Sequence, residues 1–157
     1  MIRRIIFLAL LAGSATANAV PAQKFLSDAI KGDNSEMRLG RLIASRGESA
    51  AVRSFGRALT ADHQRARVQA GAVARRMGMA PPTAMMPEAR AEYTKLSRLH
   101  GARFDREVGR YMIDDHRKDI AEFRKQARTG DRGTSSLAAA QLPALRKHLS
   151  MAEALPR

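Results

Sequence analysis

Residues 102–127 read ARFDREVGRYMIDDHRKDIAEFRKQA. Phe104, Val108, Met112, His116, Ile120, Phe123 and Ala127 recur every three or four positions, and charged residues fill the intervals. A strand would alternate with period two, whereas this spacing puts the apolar side chains on one face of a helix. His116 stands where a hydrophobe is expected, between Met112 and Ile120. Asp105 lies partly on the same side, one turn ahead of Val108.

The same period extends in both directions. A helix is predicted from after Pro21 to about Arg46, on the stripe Phe25, Ala29, Gly32, Glu36, Gly40 and Ile43, with Gly47 as its stop. A second is predicted from about Ser49 to Met77, on Val52, Phe55, Leu59, His63, Ala66, Ala70, Val73 and Met77. Pro81, Pro82 and Pro87 then forbid continuous helix. A short helix over 88–99 follows, and Gly101 kinks the chain or separates it from the long helix. Gly130 and Gly133 bracket the next turn. A last helix is predicted over about 134–155, its core side formed by Leu142, Leu145, Leu149, Ala152 and Leu155, with a bend expected at Pro143. Four long amphipathic segments with connections of modest length predict an all-α antiparallel four-helix bundle, with a short extra helix before the third long one. Abundant Ala and Arg favour helix, and only 4% aromatic residues argue against sheet.

Residues 1–19 form a separate unit. Arg3 and Arg4 open it, an apolar run covers 5–12, and Ala17-Asn18-Ala19 supplies small residues for cleavage. This is the layout of a secretory signal peptide, so a cleaved segment 1–19 and a bundle domain 20–157 are expected, placing the protein in the periplasm or otherwise outside the cytoplasm, soluble or peripherally associated with the envelope. No later stretch approaches the 20 or so apolar residues of a membrane span. Cleavage removes two of the basic residues and no acid, taking the net charge from +13 to 13 minus 2, or +11. There is no cysteine, which excludes thiol catalysis, disulfides and thiolate-held clusters.

His63, His116 and His148 are each expected to face the interior, from three different helices. Neutral imidazole is a ligand for several transition metals. Glu36 lies on an inward stripe between Gly32 and Gly40, glycines that would admit a neighbouring helix, and Asp105 is partly inward. A buried carboxylate needs a partner. Three readings stay open: a buried network in which the histidines donate to carboxylates or carbonyls, a metal site, or a metal-free catalytic role for a His–Asp pair. The Glu-x-x-His pairs of di-iron bundles are missing, and Asp62-His63 and Asp115-His116 are adjacent pairs that cannot both grip one ion at helical i, i+3 spacing. No serine shows a nucleophile elbow. His100, beside Gly101, is expected to be exposed or capping. Met77, Met79, Met85 and Met86 read as a greasy loop over the bundle end rather than as a soft-metal site.

Helices two and three share an echo: Arg53-x-x-Gly56-Arg57 leading to Asp62-His63, and Arg106-x-x-Gly109-Arg110 leading to Asp115-His116. It marks either a duplicated hairpin or equivalent packing. Lys and Arg number 28 against 15 Asp and Glu. The positive surface suits an anionic envelope surface or lipid headgroups, and no zinc finger, phosphate loop or aromatic stacking set points to specific nucleic-acid binding.

Four motifs together resemble one family. They are Glu36-x-x-Leu39-Gly40-x-Leu42; Val52-Arg53-x-Phe55 leading to Asp62-His63; Phe104-Asp105 followed by Tyr111-Met112-Ile113-x-Asp115-His116; and Leu142-Pro143-x-Leu145-x-x-His148-Leu149. Their order and spacing over about 22–155 resemble the domain-of-unknown-function family 4142, small exported bacterial proteins. The resemblance implies a ferritin-like bundle, with Glu36, His63, Asp105, Asp115, His116 and His148 at recurrent polar positions. The expected protein is a helical envelope component stabilised by a buried His/carboxylate network. The alternative is a metal-binding ferritin-like protein that holds iron, copper or zinc on those six residues and is redox-active where the metal allows.

Overall fold

The computed structural model describes residues 19–156, so the expected signal segment 1–19 lies outside the described residues except for Ala19, which opens the first helix. Five helices follow in order: α1 (Ala19–Arg46), α2 (Ala50–Arg76), α3 (Pro87–Leu96), α4 (Gly101–Thr129) and α5 (Arg132–Glu153). Among the described residues there is no strand, and no helix is long and apolar enough to cross a membrane.

Two tight connections make two hairpins, α1–α2 and α4–α5. In the first, Ser49 caps α2 by accepting from the Val52 amide at 3.2 Å, satisfying a donor that the first helical turn leaves free. In the second, Asp131 caps α5, accepting from the Gly133 and Thr134 amides at 2.8 and 3.1 Å. This cap starts α5 at Arg132, two residues before the predicted Thr134. The short helix also differs from expectation. It opens with Pro87 at its first position and ends at Leu96, where Arg46 bonds the carbonyls of Ser97 and Leu99. Gly101, at φ +59°, turns the chain into α4 in a conformation that costs a larger residue strain.

The crossover between the hairpins fixes the topology. Asn34 donates to the carbonyls of Pro82 and Ala84, and Ser35 accepts from the Met86 amide. These bonds lay residues 82–86 along α1, and α3 bridges α1 and α4. The chain thus returns to the end where α2 began, so α4 runs parallel to α2, and α5 runs back antiparallel to both. The result is the predicted antiparallel bundle with one long crossover and a short helix ahead of the third long one.

α1 and α2 approach most closely at two glycines. A Cβ on Gly40 would meet the Gly56 carbonyl at 2.8 Å, and one on Gly56 would meet the Gly40 carbonyl at 2.6 Å. Gly40 thus admits a helix as expected. Gly32 does not: nothing lies within 4 Å of its Cβ position. On α4 the echo glycine, Gly109, faces Ala152 of α5 and Leu155 just beyond it. Each echo glycine therefore faces its own hairpin partner. That partner precedes α2 but follows α4, and of the two positions only Gly56 lacks room for a Cβ, so the two halves of the echo pack differently.

The core is layered. One apolar cluster, including Leu39, Phe55, Leu59, Phe104, Val108 and Met112, fills the end nearest the α1–α2 turn. Two others, around Leu26, Ile30 and Val73 and around Ile120, Phe123 and Leu145, fill the opposite half. The expected methionine group divides between the ends: Met85 and Met86 join the first cluster, and Met77 and Met79 pack on the second. Between the apolar ends lies a polar layer.

Candidate metal centre

The polar layer holds buried His63 from α2, His116 from α4 and His148 from α5. The ring centroids stand 6.1 Å apart for His63 and His116, 5.2 Å for His63 and His148, and 5.4 Å for His116 and His148. One nitrogen from each ring lies within 4.8 Å of the others. A tetrahedral ion with metal–nitrogen bonds of about 2.0–2.1 Å would draw them to about 3.4 Å.

Each ring has one occupied nitrogen. His63 Nδ1 donates to Asp33 Oδ1 at 2.9 Å, His148 Nε2 to Asp62 Oδ2 at 2.9 Å, and His116 Nδ1 to the Met112 carbonyl at 3.0 Å. The carbonyl and the ionised carboxylates are acceptors, so the proton of each neutral imidazole belongs on the bonded nitrogen. The other nitrogens, His63 Nε2, His116 Nε2 and His148 Nδ1, carry lone pairs, and all three are buried without a partner. Burial, followed by the charges of His63 and His148, holds His116 down at about 3. Burial and His63 hold His148 down at about 4, against the pull of Asp62. Both rings are therefore neutral at physiological pH, the form that binds metal.

Asp62 is half-buried at the rim. Burial raises its carboxyl, but His148 and Lys147 outweigh that and leave it below its ordinary value. Arg65 and Lys147 also pair with it. Asp33 is buried, and burial raises its carboxyl despite the bond from His63.

A cavity of about 460 Å³ opens beside the histidines, between the two hairpins, with His63 and His148 in its wall. Glu36 and Asp115 line it too. Glu36 is 2% exposed, with Oε2 unpartnered. Burial and then the charges of Asp115 and Asp119 lift its carboxyl well above the usual range. Asp119 is lifted in the same way by burial and by Asp115, and burial raises Asp115 as well.

Of the six expected site residues, five thus gather around the polar layer: three imidazoles in contact, with Glu36 and Asp115 on the adjoining cavity wall. Asp105 does not join them. Its two oxygens accept the Glu48 and Ser49 amides, each at 2.9 Å, so the partner its burial demands is the α1–α2 turn. Two residues went unassigned to the site. Asp33 sits three residues before Glu36 and Asp119 four after Asp115, helical spacings that put each on its neighbour's face. Exposed His100 meets only the Arg46 guanidinium.

The fold and the site define an all-α bundle with a buried triple-imidazole cluster in its middle layer. By sequence, the chain belongs to the family described as a domain of unknown function, DUF4142, whose profile covers residues 9–155. Its backbone is similar to the crystal structure of a DUF305 fragment from Deinococcus radiodurans, with 21% identity and a TM-score of 0.74 over 84% of this chain and 92% of that one. That likeness concerns the fold. No curated protein matches the chain significantly.

Proposed function

We propose that this is an exported metal-binding bundle protein, in which His63, His116 and His148 hold one divalent transition-metal ion and present it to the cavity. The observation that carries the reading is the trio of buried, unpartnered ring nitrogens, one per ring, each ring being fixed by a bond at its other nitrogen. A purely structural network would leave three lone pairs unsatisfied, at about 1–3 kcal/mol each. A bound ion satisfies all three. Carboxylate and carbonyl acceptors behind metal-binding histidines are the usual outer support of such sites, since they fix the tautomer and raise ligand basicity. Three imidazoles without thiolate suit zinc and copper ahead of softer or harder ions, and three protein ligands leave a coordination position open.

Export is supported by the layout of residues 1–19, and the excess of Lys and Arg suits peripheral contact with an anionic envelope surface. Sequencing the N-terminus of protein recovered from the periplasm should begin at Val20; an intact Met1 refutes cleavage. The metal is tested by elemental analysis of protein purified from its native compartment, and by zinc and copper titration of chelator-treated protein. About one ion per chain is expected, with binding lost in His63→Ala and His116→Ala. Folded protein that takes up no stoichiometric metal, or variants that bind as well as the parent, would overturn the reading.

A further inference from the structure

The cavity is far larger than one ion requires, and its charge opposes that of the molecule. Eight of the chain's 15 acids line it, against two of its 28 basic residues, Arg65 and Lys147. The acids concentrate on the α1 and α4 walls, where no Lys or Arg among the described residues pairs with Glu36, Asp115 or Asp119.

Two further polar atoms converge there. Glu36 Oε2 is unpartnered and fully buried, and so is the hydroxyl of Tyr111, which lines the same wall. Below them, Phe25 and Phe123 also line the cavity, packed edge to face at 5.1 Å. Glu36 and Asp115 are hydrogen-bonded to each other, and no third carboxylate joins them at ligand distance: among the described residues, the group with ligand atoms within 4.8 Å is the three histidines. A volume of about 460 Å³ falls in the range of small-molecule sites, about 300–1,000 Å³, and such sites combine apolar walls with a few placed polar groups. A chain of methylenes ending in ammonium groups matches these features, because the Glu36–Asp115 pair and Asp119, one turn further along α4, can each take an ammonium, and aromatic rings take alkyl and cationic surface.

We propose that the cavity binds a linear aliphatic amine, with ammonium groups against Glu36, Asp115 and Asp119 and its hydrocarbon on Phe25 and Phe123. The assignment does not depend on the histidine site holding metal, since the amine's contacts lie on α1 and α4 apart from the ring nitrogens. Calorimetry with the exported chain, stripped of metal and again loaded with zinc, tests it with putrescine and spermidine as probes and 1,4-butanediol as the uncharged control. Saturable 1:1 binding of an amine in both forms is expected, without binding of the diol. Glu36→Gln should weaken it about tenfold, the loss of one charge-assisted contact, while His63→Ala retains it. Asp119→Asn, at a half-buried position, gives the same readout should Glu36→Gln fail to fold. Absence of saturable amine binding overturns the proposal. So does binding that both carboxylate variants leave unchanged, or a site that Mn²⁺ or Ca²⁺ fills with the same variant dependence while the amines do not.

Discussion

Which nitrogen of His148 carries the proton decides what the ring can do. Asp62 takes it on Nε2 and leaves Nδ1 free. Asp62→Ala should therefore leave the ligand in place but unoriented, weakening zinc affinity about 10–100-fold, the usual cost of removing such a support. The metal-free protein should lose about 1–3 kcal/mol, the cost of leaving the buried His148 N–H without its acceptor, while the Asp62 pairs to Arg65 and Lys147 involve exposed cations worth about 0–1 kcal/mol each. Zinc titration beside thermal melting separates the two effects, and an unchanged affinity would refute Asp62's orienting role. At this scale the sequence disclosed only half of the site. Inward histidines are conspicuous because they interrupt an apolar stripe. The rim position of Asp62 was readable as an offset of about 100° from His63, but its partner lies 86 residues away, and no local pattern encodes that distance. Asp105 misled for the same reason: its inward position was legible, and its backbone partners were not.

Between elements, the narrowest contact is the Gly40–Gly56 crossing. Gly56→Ala would push a methyl into the backbone of α1 and should cost about 2 kcal/mol or more, read as a lower urea midpoint. Gly32→Ala meets open space and should stabilise α1 by about 0.5–1 kcal/mol. Equal effects from the two would contradict the packing described. At the α3–α4 contact, burial and then Glu107 raise buried Glu92 to about 7, while Glu107 falls to about 2, chiefly through Arg110. The folded chain keeps Glu92's proton where the unfolded chain, at about 4.5, releases it. Stability from Glu92 therefore falls as pH rises from about 4.5 to 7. Glu107 contributes stability that is present above about 4.5 and lost as pH falls toward 2. The two titrate as a pair. Glu92→Gln should add about 1–2 kcal/mol at pH 7 and nothing at pH 4.5; urea melts at both pH values check it. A variant no more stable than the parent at pH 7 defeats the assignment. Element boundaries were legible where glycine marked them, as at Gly47 and Gly101. The α5 start was missed because Asp131, not the glycines, sets it.

Across the whole molecule, the histidine centre joins the hairpins, with one ligand from α2 and two from α4 and α5. An ion held there, as proposed, would bind only the assembled bundle. Zinc at about 100 times its dissociation constant should add about 2.7 kcal/mol, raising the melting temperature by about 5–10 °C, and His116→Ala should abolish the increment. Bundle architecture was readable because four amphipathic periods and their turns are local signals. The cavity was not, because it arises where α1 and α4 fail to close on each other, a property of no single segment.

Gly32 gives that gap a doorway. With empty space where a side chain would begin, α1 leaves an aperture that bulk alone could obstruct. A leucine there would narrow the route inward. Loading and unloading should slow together while their ratio holds, so stopped-flow traces of Gly32→Leu would distinguish passage from grip.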